Sequence, residues 1–153
     1  LDEATHPTER HSAIRLFNHI YVVDRIFAAH LSGGAHGYEA TNTAETPTLD
    51  GLAAALADSD AWYVQFVQDM GASRLGSAVE FTFTDGQKGR MTRAEMLSHV
   101  LAHGAYHRGA IGRILALTGR APPRELYTRF LHEREPMRRV HAGAGVPPAA
   151  AGG

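Results

Sequence analysis

Three histidines stand four residues apart in the stretch HVLAHGAYHRG: His99, His103 and His107. On an α-helix, residues four apart lie on one face, one turn apart. Two imidazoles at that spacing can reach one cation. A third from the same helix cannot, because positions 99 and 107 are roughly 12 Å apart along the axis. The helix therefore offers a pair, 99/103 or 103/107, and a third ligand must come from another helix. His19 is the candidate. It follows Leu16 and precedes Ile20 and Val23 in a helical pattern, so its ring should turn toward the apolar face and be buried. A buried imidazole needs a partner for each ring nitrogen. A cation on one and a carbonyl or carboxylate on the other would satisfy both.

The bland reading of the same residues is a polar stripe. The chain holds ten histidines, so an HxxxH pair also arises by chance. A lone buried histidine is more often hydrogen-bonded than metal-bound. His30 returns to the face of His19 but roughly 16 Å further on, too far to share a site. His6, His11, His36, His132 and His141 fall in loops, helix ends or the tail and read as surface. Spacing by itself leaves the choice open.

The histidines carry this weight because the chain of 153 residues has no cysteine. That excludes disulfides, thiolate nucleophiles and zinc–thiolate centres together. HExxH, GxSxG, P-loop and GxGxxG signatures are also missing, as is a pair of Glu-x-x-His helices. The formal net charge is -1, which gives no reason to expect a nucleic-acid partner. The basic residues are 14 arginines and Lys88, a bias read with the Ala and Gly content as compositional. No apolar run reaches about 18 residues, so no membrane span is expected, and no signal peptide is visible. Cytoplasm is the default location.

The elements that must position these residues are mostly helical. Residues 1–9 are polar and expected to be broken by Pro7. Leu16, Ile20, Val23, Phe27 and Leu31 then recur at three- and four-residue steps from about Arg10, and Gly33-Gly34 ends that helix. A loop over 35–47 leads to a second helix from Thr48 or Asp50 to Met70. Leu52, Leu56, Val64 and Val67 should line it, with Trp62, Tyr63 and Phe66 adding bulk, and Gly71 stops it. Val79, Phe81 and Phe83 alternate with polar residues before Asp85-Gly86, which predicts a β-hairpin or extended arm. Thr92 and Glu95 match a capping box opening a long helix to about Leu117, stopped by Gly119. Pro122-Pro123 separates it from a short helix at about 124–134. Residues 1–135 read as one domain, and 136–153 as a low-complexity, disordered tail.

Two stretches, LFNHIYVVDRIFAAHLSG (16–33) and MTRAEMLSHVLAHGAYHRGAIGRILALTGRAPP (91–123), resemble the DinB/YfiT-like family of metal-binding helical bundles. The likeness spans roughly residues 10–131. It includes the NHI…DRI pattern, the FTFTDG…MTR approach, the HxxxHRG core and the PP exit. The resemblance implies an all-α four-helix bundle of up-down-down-up style. It also implies a divalent ion held by His19, His103 and His107, with His99 close by but not a ligand. Relatives include thiol-dependent transferases and isomerases. The sequence departs from the pattern in two places. Ala110 stands where glutamine is usual after HRG, which removes a polar group beside the ligands. The family also has a helix before the NHI helix, whereas this sequence opens on Leu1; the expectation is that an upstream segment or a second copy of the chain covers that face.

Three imidazoles make an open site with positions left for water or substrate. Zinc or nickel suits imidazole best, with iron and manganese as alternatives. The expected activity is transfer to or from a small thiol, or hydrolysis. The alternative is a non-catalytic metal- or ligand-binding bundle, and a homodimer is expected in either case. Asp24, Tyr106 and Arg108 are second candidates. Arg108 could pair with Asp24 or bind an anionic substrate, a structural salt bridge being the plainer role. Tyr106 could donate a proton near the ion or simply pack. Gly104, Gly109 and Gly112 each weaken a helix by about 1 kcal/mol relative to Ala, which points to a close-packed neighbouring backbone or a substrate entry.

Overall fold

A computed structural model of the chain describes residues 6–139. The expectations for the tail beyond 139, for His141 and for residues 1–5 concern positions outside that range. The chain divides into two compact units, one ending at Pro122 and one beginning at Pro123.

The first unit holds three long helices and a hairpin. Helix α1 spans Pro7–Leu31, so Pro7 does not break the segment but opens the helix. The first helical position tolerates proline because its N–H would have no intrahelical partner. The helix closes with Gly33 at φ +72°. The Gly33 and Gly34 N–H groups donate to the carbonyls of His30 and Ala29 at 3.0 and 2.9 Å, which satisfies carbonyls the helix end leaves open.

Helix α2 spans Leu49–Met70, with the Thr48 hydroxyl accepting from the Gly51 N–H and Gly71 at φ +72° ending it. It runs parallel to α1. Pro7, His11 and Ile14 line one cavity with Thr48 and Leu49, while Leu31 lines another with Phe66 and Met70. Residues 32–48 therefore travel back along α1 to begin α2 beside its start. The buried positions of α2 are Leu52, Ser59 and Met70, and Leu56, Tyr63 and Phe66 fall on the same face. Val64 and Val67 are exposed, contrary to expectation. They stand one position off the 52–56–59–63–66–70 stripe. The stripe is held by the Tyr63 hydroxyl, which donates to the Asp24 backbone carbonyl at 2.6 Å.

Strands β1 (Ala78–Thr82) and β2 (Lys88–Thr92) form an antiparallel hairpin, with Val79 opposite Met91 and Phe81 opposite Gly89. Gly86 turns the chain at φ +86°. Val79 and Phe81 enter the core, while Phe83 lies past the strand and is largely exposed. Gly89 leaves room for a ring: a Cβ there would stand 2.6 Å from Phe81 Cζ.

The hairpin delivers the chain directly to α3, Arg93–Leu117, whose capping box is formed. The Thr92 hydroxyl accepts from the Glu95 N–H, and the Glu95 carboxylate accepts from the Thr92 N–H. The next free N–H groups, of Arg93 and Ala94, donate to the carbonyls of Ser77 and Leu75. Helix α3 runs antiparallel to α1. Met96 packs with Val22, Val23, Ile26 and Phe27, whereas Ile111 packs with Ala13 and Ile20. The three long helices thus run up, up and down. Helix α1 lies between the other two and is the most buried. Among the described residues, no helix is long and apolar enough to cross a membrane.

Among the described residues, the glycines of α3 do not face another backbone. A Cβ at Gly104 would meet the Arg108 guanidinium, one at Gly112 would touch Pro122, and one at Gly109 would meet nothing.

The second unit holds helix α4, Tyr127–Arg134. It begins later than the expected 124, because residues 123–126 offer no capping side chain and Leu126 takes the N-cap position without one. Arg129 pairs with Glu133 at 2.7 Å. The helix ends before Pro136, and Pro136–Arg138 form a single 3-10 turn.

Candidate metal centre

Antiparallel packing of α1 against α3 sets His19 opposite His103 and His107. One ligand atom from each of the three lies within 4.8 Å of the others. The His19 ring centroid is 4.8 Å from that of His103 and 4.6 Å from that of His107. His99 is left out of this group. It stacks on Phe27 at 4.5 Å and on His103 at 5.5 Å. His19 is half-buried rather than fully buried.

The hydrogen bonding of His19 specifies its tautomer. Nδ1 lies 2.8 Å from the Thr41 carbonyl oxygen, which can only accept, so Nδ1 carries the proton. A neutral ring then presents a bare Nε2 lone pair, and this points at His103 Nε2 at 3.0 Å. One arrangement puts a proton on His103 Nε2. In that arrangement His103 Nδ1, buried without a partner among the described residues, is an unmet acceptor; with the proton on Nδ1 instead it is an unmet donor, so this atom does not choose between the two. The other turns both Nε2 lone pairs to a shared cation. Two ligands about 2.0–2.1 Å from one ion are separated by about 3 Å, so the donor set fits a divalent metal.

Burial on α3 favours the neutral, ligating form of His103 and His107. Burial pushes the His103 imidazole down to about 4, assisted by the neighbouring His107, His19 and His99. His107 is lowered by burial and by His19, and His99 by burial alone.

The remaining candidates lie outside the three-histidine group. Tyr106 is 76% exposed with its ring edge-on to His107 at 5.0 Å, a rim position rather than a core one. The Arg108 guanidinium folds back over Gly104. Asp24 is buried at 6% exposure, and among the described residues its Oδ1 has no hydrogen-bond partner. Burial and then the charge of Asp60 push its carboxyl up to about 7. The charge of Arg108 opposes this without prevailing. His30, buried, and His36, half-buried rather than surface, form a separate pair with centroids 5.1 Å apart.

The DinB family model matches residues 4–139. The chain belongs to the DinB family. Neither a curated protein nor a solved structure matches it. In this DinB protein the NHI segment lies on α1 and the HxxxHRG segment on α3. One contributor to the site escaped sequence reading, the Thr41 carbonyl. A second contributor is Asn18, whose place just before His19 suggests a residue that orients a neighbour or caps a loop. Asn18 is adjacent to His19 and 1% exposed, and the N-H dipeptide was its only signal.

Proposed function

We propose that this DinB protein binds a divalent ion, zinc or nickel in the first instance, through His19, His103 and His107. We further propose that it acts as a metal-dependent transferase or hydrolase on a small thiol or a related small molecule. One observation carries the reading. Three imidazoles from two helices offer ligand atoms within 4.8 Å of one another, and among the described residues no fourth protein ligand joins the group. A centre with three protein ligands keeps a position for substrate, whereas a structural zinc site is closed by four. A bound ion would supply a water acidified toward pH 7 or a thiol held as thiolate. The chain's own part is to keep His103 and His107 neutral and to aim His19 through its bond to the Thr41 carbonyl.

The test is titration of tag-free, metal-stripped protein with zinc and with nickel, followed by calorimetry. One site is expected. His103→Ala should abolish it, and so should His107→Ala. An empty titration with both metals overturns the reading. If metal binds, the loaded protein is given small thiols with electrophilic acceptors. Turnover lost in His103→Ala supports the enzyme, whereas a loaded but inert protein supports a non-catalytic bundle. The second reading has its own observation. Leu101, Tyr106 and Leu117 on α3 are exposed, and a homodimer would cover side chains of this kind.

A further inference from the structure

The loop that carries the chain from the end of α1 back to the start of α2 passes His19, and α1 holds it there through three side chains. The His19 Nδ1–H donates to the Thr41 carbonyl at 2.8 Å. The Asn18 amide donates to Asn42 Oδ1 at 2.8 Å and to Thr43 Oγ1 at 2.9 Å. Arg15 Nη1 donates to the Thr43 carbonyl at 2.7 Å. The Thr43 hydroxyl in turn donates to the Glu45 carbonyl at 2.6 Å. Residues 15, 18 and 19 lie at three- and four-residue steps on α1, so the helix grips consecutive loop residues along one face.

The grip has a chemical consequence. Thr41 offers His19 a backbone carbonyl, whose position is set only by the conformation of its loop. A freely moving loop would let the ring rotate or exchange its proton to Nε2, the atom that faces His103. Asn18 is the buried member of the grip, at 1% exposure, and both of its amide bonds go to the two residues that follow Thr41. We infer that Asn18 is a positioning residue: by pinning Asn42 and Thr43 it holds the Thr41 carbonyl on His19 Nδ1, fixes the Nδ1–H tautomer, and so presents Nε2 to the cation. The Thr41 carbonyl is the group bonded to the ligand, and losing a partner at that place costs about 10–100-fold in metal affinity in other metal sites; Asn18 acts on it through the loop.

The inference rests on the proposed metal site, and its test separates the two. In metal-free protein, nitrogen-detected NMR of the imidazoles reads the His19 tautomer without any ion. Wild type should show Nδ1–H, and Asn18→Ala should show a mixture containing Nε2–H. Zinc affinity should fall 10–100-fold in Asn18→Ala while the thermal melt of the metal-free protein stays cooperative. If Asn18→Ala does not fold, the double variant Asn42→Ala/Thr43→Ala removes both acceptors from the loop side, and the same tautomer mixture and affinity loss are expected. A His19 that stays wholly Nδ1–H in whichever variant folds, or zinc affinity within twofold of wild type, overturns the inference. Wild-type protein that binds no zinc overturns the proposed function instead, and the tautomer result still decides the role of Asn18.

Discussion

Replacing Asp24 with asparagine should make the protein more stable at pH 8 and leave it nearly unchanged at pH 4. Asp24 is 6% exposed, its Oδ1 has no hydrogen-bond partner among the described residues, and the nearby Tyr63 hydroxyl is spent on a backbone carbonyl. Burial and the charge of Asp60 raise its pKa from 3.8 to about 7. Between those two values the folded chain keeps a proton that the unfolded chain has released. Stability therefore falls as pH rises through the window, and the full penalty is present above pH 7. At about 1.4 kcal/mol per pH unit the interval is worth about 4 kcal/mol, and solvent screening reduces it to about 2–3 kcal/mol. An amide of the same shape never ionises and escapes the penalty. The assay is urea unfolding of both proteins from pH 4 to 8, reading the difference between them. Subtraction matters because His103, lowered from 6.5 to about 4, acts in the opposite sense. It contributes stability above pH 6.5 that is lost as pH falls toward 4, equally in both proteins. A difference that stays flat between pH 5 and 8 would refute the argument. So would a variant less stable than wild type at pH 8, since the carboxylate would then be a favourable partner for Arg108.

Two further outcomes follow from packing and capping. Thr92→Ala removes the hydroxyl that receives the Glu95 N–H at the start of α3 and should cost about 1 kcal/mol in urea unfolding; no measurable loss would show that the Ser77 and Leu75 carbonyls suffice to anchor that helix end. Gly89→Ala places a methyl group 2.6 Å from Phe81 Cζ and 2.8 Å from Phe83 Cε2. It should destabilise by about 1–3 kcal/mol through overpacking, and a neutral result would mean that the two rings turn aside freely.

Much of the architecture is written in local patterns. The Thr92/Glu95 box, the glycines at 33, 71, 86 and 119 and the apolar steps of α1 act within a few residues, so their signals survive in the bare sequence. The spacing of His103 and His107 is of the same kind, a property of one helix. Which histidine pair meets His19 is not, because it depends on how far α3 slides along α1, and residue reading alone left 99/103 and 103/107 open. Packing of Met96 and Ile111 against α1 sets that register. The same distance in sequence hid the exposure of Val64 and Val67, the burial of Asp24 and the partner of His19. The loop carbonyl on His19 belongs to a residue 22 positions away, and a carbonyl is common to every amino acid, so no side-chain identity could announce it. The sequence determined which groups could bind a cation; only the packing of α1, α3 and the returning loop decided which of them converge, because convergence is a property of contacts between elements and not of any element alone.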